Sequence, residues 1–296
     1  MFPFSSKLAA KGRGRHYTFK RALMERTLGA LYGHDWPARL WSLVPGSVEV
    51  TLTRHSLAVL PPWAEPLRIG FASDLHLGPT TPDELLDSAF QQLAELDPDV
   101  LFLGGDYVFL DATEAHAKRL KQLIARVKTP AKYAVLGNHD LWTDHTVIER
   151  ALTEAGCELL INECARMKGP HSKIAVIGLD EPWTGDADPS VALAACEAFG
   201  VETRLLLCHS PDGFLLVPKG IALYTAGHTH GGHLALPGGK AVVLPPGPGS
   251  RHWPRGLHAH GDGYVFVSRG LGATEVPVRS FSAPEIALIT LTPAAP

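Results

Sequence analysis

Cysteine is scarce. The four thiols of the 296-residue chain, Cys157, Cys164, Cys196 and Cys208, form no C-x-x-C pair. That argues against a structural zinc site or a disulfide framework and predicts reduced thiols in the cytosol. No apolar run approaches the roughly 18 residues that a membrane span needs. The N-terminus is basic but lacks the apolar core and small-residue cleavage site of a secretory signal. The expected location is cytoplasmic, with a peripheral place on the inner face of the membrane as its variant. Charge of one sign is lacking too: 27 Lys and Arg against 30 Asp and Glu leave a net charge of −3. Such a balance suits neither a nucleic-acid coat nor an acidic tail, and no specific nucleic-acid binding is expected. Internal repeats and low-complexity tracts are absent.

What the chain has is enough apolar material for a sizeable core, 45% hydrophobic against 19% charged residues, and 15 histidines, the commonest nitrogen ligands of transition metals. Residues 1 to about 45 stand apart. Lys7, Lys11, Arg13, Arg15, Lys20, Arg21 and Arg26 face only Glu25 before residue 30. Phe19, Leu23, Met24, Leu28 and Leu31 follow at loosely helical spacing, then Trp36, Leu40, Trp41 and Leu43. Two readings stand: a basic helical stretch lying on an anionic membrane surface, or a basic tail and a helix packed on the domain. The division expected is a basic, partly helical segment over 1–47 and one domain over 48–296.

From Val48 the pattern is α/β. Strands are predicted at 48–60, 67–72, 100–103 and 133–136, with helices at 82–96, 113–127 and 146–155; Thr81 is the expected N-cap before Pro82. Further strands are predicted at 174–177, 205–208, 223–225, 265–268 and 286–291. Strand alternates with helix in the first half, and strands dominate the second. That suggests two packed sheets flanked by helices rather than one doubly wound sheet. Residues 236–263, dense in Gly, Pro and His, read as a long surface excursion beside the site and a candidate lid.

Five polar clusters follow these apolar runs: Asp74-Leu75-His76, Gly104-Gly105-Asp106, Gly137-Asn138-His139-Asp140, Cys208-His209-Ser210 and Gly227-His228-Thr229-His230. Asp74 and His76, two residues apart at a strand end, can turn to one cation. Asp106 has one oxygen for each of two metals. Asn138 offers a neutral carbonyl oxygen, His139 is placed to reach the substrate, and Asp140 is read as the carboxylate that orients its ring. His228 and His230 can each address a different metal. Two cations about 3.5–4 Å apart clamp the oxygens of a phosphate ester and activate water. Oxygen and nitrogen donors without thiolate suit manganese, iron, zinc or cobalt and do not choose among them.

In this order the clusters resemble those of the calcineurin-like metallophosphoesterase superfamily, over about residues 67 to 291. The resemblance implies an α/β fold, a four-layer αββα sandwich of two mixed β-sheets flanked by helices. It implies two divalent ions as cofactors, one held by Asp74, His76, Asp106 and His230, the second by the shared Asp106 with Asn138, His209 and His228. A hydroxide bridging the ions would attack phosphorus, with His139 as proton donor to the leaving group or transition-state stabiliser and Asp140 behind it.

Gly227-His228-Thr229-His230-Gly231-Gly232, Ser268-Arg269-Gly270-Leu271-Gly272 and Pro284-Glu285-Ile286-Ala287-Leu288 further resemble a bacterial phosphodiesterase branch, often membrane-associated, that includes UDP-2,3-diacylglucosamine pyrophosphatases. His233 departs from that branch's usual Gln and is either a substrate contact or a tolerated outer change. Arg269 either binds substrate phosphate or pairs with a carboxylate such as Glu285. Trp142 and Trp183 are read as core or rim, and His252, His258 and His260 as solvent-facing. The expected activity is a phosphodiesterase or pyrophosphatase acting on a small phosphodiester or a lipid-linked phosphate, with peripheral membrane contact through residues 1–45. A phosphomonoesterase, a nuclease or a non-catalytic scaffold are the competing functions.

Overall fold

Side chains along a strand alternate between two faces, and here the faces of the central strands find different partners. The computed structural model describes residues 12–44, 47–217 and 219–294; Lys7 and Lys11 of the basic segment lie outside the described residues. After α1 (Phe19–Leu31) and α2 (Trp36–Ser42), a first sheet takes β1 (Thr51–Leu60), β2 (Leu67–Ala72), β3 (Val100–Leu103), β4 (Ala131–Ala134), β5 (Glu158–Leu159) and the C-terminal β12 (Glu285–Pro293). Its spatial order is β1-β12-β2-β3-β4-β5. β6 (Glu163–Arg166), β7 (Ile174–Gly178), β8 (Thr203–Leu207), β9 (Leu223–Ala226), β10 (Gly256–His260) and β11 (Gly263–Val267) form the second, in the order β10-β11-β9-β8-β7-β6. Both are mixed: β2, β3, β4 and β5 run parallel while β12 opposes β2, and β7, β8, β9 and β11 run parallel between antiparallel edges.

Ile69 and Phe71 of β2 and Val100 and Phe102 of β3 point between the sheets, against Val176, Leu205, Leu207 and Phe266. Leu101 and Leu103 point the other way, onto α3 (Asp83–Glu95), α4 (Glu114–Arg126) and α6 (His145–Glu154). On the far side, Ala175, Ile177, Leu206 and Val265 meet α7 (Pro189–Phe199) and Trp253. The result is the expected four-layer αββα sandwich of two mixed β-sheets.

Some local expectations need correction. Thr81 does not cap α3; its Oγ1 accepts from the Ala273 backbone N–H at 3.0 Å, and Pro82 stands at the cap. The strand expected at 133–136 lies instead at Ala131–Ala134, with one further bond from the Val135 N–H to the Leu103 carbonyl at 3.1 Å. The 236–263 excursion contains α8 (Pro248–His252) and β10, which pairs with β11. The thiols are not all reduced: Cys164 of β6 and Cys196 of α7 are disulfide-bonded, with Cα atoms 5.9 Å apart, while Cys157 and Cys208 are free and buried. No helix among the described residues is long and apolar enough to cross a membrane.

Candidate active site

The loops that leave β2, β3, β4, β8 and β9 converge at one edge of the sandwich and bring the five polar clusters together. Asp74, His76, Asp106, His228 and His230 all have positive φ, between 46° and 70°. For residues with a Cβ this conformation is uncommon and costs free energy, so the surrounding packing must hold it. It turns side chains sharply off the strand ends into a shared space. Gly137 is needed for close approach: a Cβ there would lie 2.1 Å from Oδ1 of Asp106.

Three donor groups result, each with its ligand atoms within 4.8 Å of one another: Asp74, His76 and His230; Asp106, His209 and His228; and His76, Asp106 and His139. Asp106 belongs to two of them. Its Oδ2 lies 3.2 Å from His209 Nε2 and 3.6 Å from His76 Nε2. Asp74 Oδ1 lies 3.4 Å from His230 Nε2, and Asn138 Oδ1 is 3.2 Å from His209 Nε2. Nitrogens face nitrogens, at 3.1 Å between His76 and His230 and 3.2 Å between His209 and His228. Buried imidazole lone pairs at such distances need a proton or a cation between them. His76 Nδ1 is buried without a hydrogen-bond partner among the described residues. Nitrogen and oxygen donors with no thiolate fit divalent transition metals.

Electrostatics agree with that crowding. Burial pushes His76 and His228 down to about 4, the first opposed by Asp106, the second reinforced by the neighbouring His209. Burial works against protonation of His209 too, but Asp106 and Asp74 raise it to about 10. Burial opposes ionisation of both carboxylates, but His230 and then His209 hold Asp74, and His209, His139 and His76 hold Asp106, below the usual carboxylate range. Burial holds His139 well below the ordinary imidazole value.

Not every expected residue does what its position suggests. Asp140 does not orient the His139 ring. Its carboxylate accepts from the backbone N–H groups of Asp106, Tyr107 and Gly137 at 2.8, 2.8 and 2.9 Å, so it ties two site loops together. His139 instead donates its backbone N–H to Asp106 Oδ1 at 2.8 Å, within the short helix α5 (Asn138–Trp142) that the sequence did not reveal. Arg269 is not among the residues lining the cavity at the site; it pairs with Glu285 through Nε at 3.1 Å and the backbone N–H at 2.9 Å. His233 does line that cavity, donating through Nε2 to the Val276 carbonyl at 2.7 Å. His252, His258 and His260 lie outside it.

Sequence reasoning missed Arg279, which is buried and places Nη2 2.7 Å from Nδ1 of His230 while bonding the carbonyls of Gly272, Ser282 and Arg269. It also missed Ser73, whose hydroxyl donates to Asp74 Oδ2 at 2.6 Å. Neither has a motif; their contacts exist only once the loops meet. The cavity, about 660 Å³, is lined by Asp106, His139 and His228 together with Trp142, Trp183, Val243, Leu244 and Val276.

A family model described as calcineurin-like phosphoesterase matches residues 67–232. The phosphodiesterase YaeI of Escherichia coli (strain K12) is 31% identical over 252 residues, 83% of this chain and 89% of that protein. The uncharacterized metallophosphoesterase YkuE of Bacillus subtilis (strain 168) is 29% identical over 90% of this chain and 91% of its own length. A second B. subtilis protein, the uncharacterized metallophosphoesterase YkoQ, is 32% identical over 76% of this chain and 83% of its own.

Proposed function

The chain belongs to the calcineurin-like phosphoesterase family and is a metal-dependent phosphoester hydrolase; from that premise we propose that it is a phosphodiesterase or pyrophosphatase working with two divalent ions. The observation that carries this is the position of Asp106, shared between two buried donor groups. Asp74, His76, Asp106 and His230 would hold one ion, and Asp106, Asn138, His209 and His228 the other. Manganese is the first candidate, with iron, zinc or cobalt as alternatives. When bound, the pair supplies Lewis acidity, neutralising phosphate charge and lowering the pKa of water.

The chain's own groups supply the rest. Asp140 keeps the Asp106 loop and the Asn138-His139 loop in register through backbone bonds. His139 lines the cavity beside Asp106 and, neutral in its buried place, offers a ring N–H to the charge that builds on the departing oxygen. Trp142, Trp183 and Val243 give the cavity apolar walls that receive the part of the substrate that does not react. Room for that part favours a diester over a bare monoester, in line with the name of the E. coli relative. Among the described residues, Arg21 is the only Lys or Arg that lines the cavity, which does not suit a long nucleic-acid backbone. A phosphodiester with an apolar or lipid-linked arm fits these walls. The exposed apolar side chains of α1 and α2, beside the exposed Lys20 and Arg26, support peripheral contact with an anionic membrane.

The test uses protein stripped with chelator and refilled with Mn²⁺, assayed on bis-p-nitrophenyl phosphate and p-nitrophenyl phosphate beside Asp106→Asn and His139→Ala. Diester hydrolysis that needs metal and Asp106 is the expected result. His139→Ala should keep its metal and lose turnover. Preference for the monoester would make the protein a phosphatase, and bound metal without hydrolysis of either ester would mean a narrow pocket that rejects both probes or a scaffold.

A further inference from the structure

We infer that Arg21, delivered by the N-terminal helix, is a substrate-binding residue of this site and holds an oxygen of the substrate phosphoryl group on the His139 side. The inference rests on the hydrolase reading above and extends it to a segment that lies outside residues 67–232, where the family model matches.

The segment before α1 is strapped across the site. Gly14 donates to the Leu141 carbonyl at 2.8 Å and Arg15 to the Thr184 carbonyl at 2.7 Å. Trp142 Nε1 returns a bond to the Arg15 carbonyl at 2.9 Å. Arg13 grips Asp180 with both Nη atoms, at 2.5 and 2.8 Å, and His16 stacks on Trp183. A Cβ on Gly14 would meet Trp142 Cδ1 at 2.7 Å and the Leu141 carbonyl at 2.8 Å, so the strap lies close against the His139-bearing loop. Thr18 then caps α1, and Arg21, one turn in, reaches back over the site.

Its guanidinium is fixed on three sides. Nε donates to Glu25 at 2.7 Å, Nη1 pairs with Glu275 at 2.8 Å, and the plane lies over Trp142 at 4.5 Å. Glu25 is itself held by the Tyr17 hydroxyl at 2.6 Å. The remaining nitrogen, Nη2, lies 3.4 Å from each ring nitrogen of His139 and borders the cavity with Asp106 and His228. At 3.4 Å those contacts are loose, so an N–H of Nη2 is left to be used by an incoming anion. A helix anchor alone would need only the two carboxylates. Here they aim the third nitrogen at the place where a phosphoryl oxygen must sit for His139 to reach its leaving group. Charge-assisted bonds of this type are the strong ones.

The experiment compares wild type, Arg21→Ala, Arg21→Lys and Arg15→Ala as full-length, metal-loaded proteins. Arg15 belongs to the strap but its side chain pairs with exposed Asp186. Inorganic phosphate binding is followed by calorimetry, kcat and KM on bis-p-nitrophenyl phosphate, and melting temperature and metal content on every variant. Arg21→Ala should weaken phosphate binding and lower kcat/KM by about tenfold or more at unchanged metal content. Arg21→Lys should keep part of both, added guanidinium should restore part of the Arg21→Ala loss, and Arg15→Ala should behave as wild type. Wild-type phosphate affinity and turnover in Arg21→Ala would overturn the inference, as would a loss confined to melting temperature with no response to guanidinium. If wild type hydrolyses neither ester but binds phosphate through Arg21, the diesterase reading fails while the phosphate contact of Arg21 stands.

Discussion

The carboxylate of Asp140 accepts the backbone N–H of Asp106 at 2.8 Å, so the residue shared by two donor groups is set in place by a side chain from the next loop. With Tyr107 and Gly137 also donating, a single buried carboxylate satisfies three amides that have no strand partner. Asp140→Asn keeps the shape but turns an N–H₂ toward amide donors. An unmatched buried donor costs about 1–3 kcal/mol, so this variant should melt lower and bind less metal than wild type. An unchanged melting curve and full metal occupancy would show that the loops hold register without it.

Acid should release the strap before it unfolds the core. Burial raises the Asp180 carboxyl, but the bond from Arg13 outweighs it and leaves Asp180 below its ordinary value. A carboxylate depressed in the folded state stabilises fully above its unfolded pKa, near about 4, and that contribution fades as pH falls through the lower folded value. Fluorescence of Trp142 and Trp183, which face the strap, should therefore change on the acid side of about pH 4. Asp180→Asn should remove that step; an identical acid limb in the variant would place the titration elsewhere.

Much of this architecture is legible in the residues alone, for reasons that differ by element. β2 and β3 match the expected limits because short apolar runs between polar turns have one easy solution. The metal-ligand types are legible because each follows a strand and so lies at one edge of the fold. β10 is not legible: its His258 and His260 sit in a Gly- and Pro-rich stretch, and only pairing with β11 makes it a strand. Asp140 misleads because adjacency to His139 suggests a local bond, whereas its partners at Asp106 and Tyr107 are more than thirty residues away. Arg279 and Arg21 carry no motif, and their value arises from contacts 49 and 118 residues distant.

The disulfide is a further case, since nothing in the spacing of Cys164 and Cys196 announces that β6 packs on α7. Closing a loop over a sequence separation of 32 residues removes unfolded-state freedom worth about 3–4 kcal/mol on the chain-entropy account. Cys164→Ser should lower stability to denaturant by about that amount, and reductant should lower wild type but not the variant. Alkylation during extraction should find two free thiols, both buried, and one bonded pair. Four alkylated thiols in the unreduced protein would restore the all-reduced expectation.

Membrane contact is the remaining question for the N-terminal helices. α1 buries only Ala22, while Phe19, Leu23 and Leu31 are 60%, 56% and 58% exposed, and on α2 Leu40 is 57% exposed, with Leu43 at 77% just beyond it. Side chains of this size left in water gain about 1.5–3 kcal/mol each on transfer to an apolar medium. A lipid surface can receive them while Lys20 and Arg26, also exposed, meet anionic headgroups. Leu23→Glu with Leu40→Glu removes two of these contacts and adds repulsion, without touching Arg21 or the strap. The full-length double variant should remain in the supernatant with vesicles of mixed anionic and neutral phospholipid that pellet wild type, at equal turnover of a soluble diester. Neutral vesicles should retain less wild type than anionic ones, because the basic side chains then lose their partners. Equal pelleting of both proteins would exclude these helices as the contact, and the apolar arm expected of the substrate would then have to reach the cavity from solution.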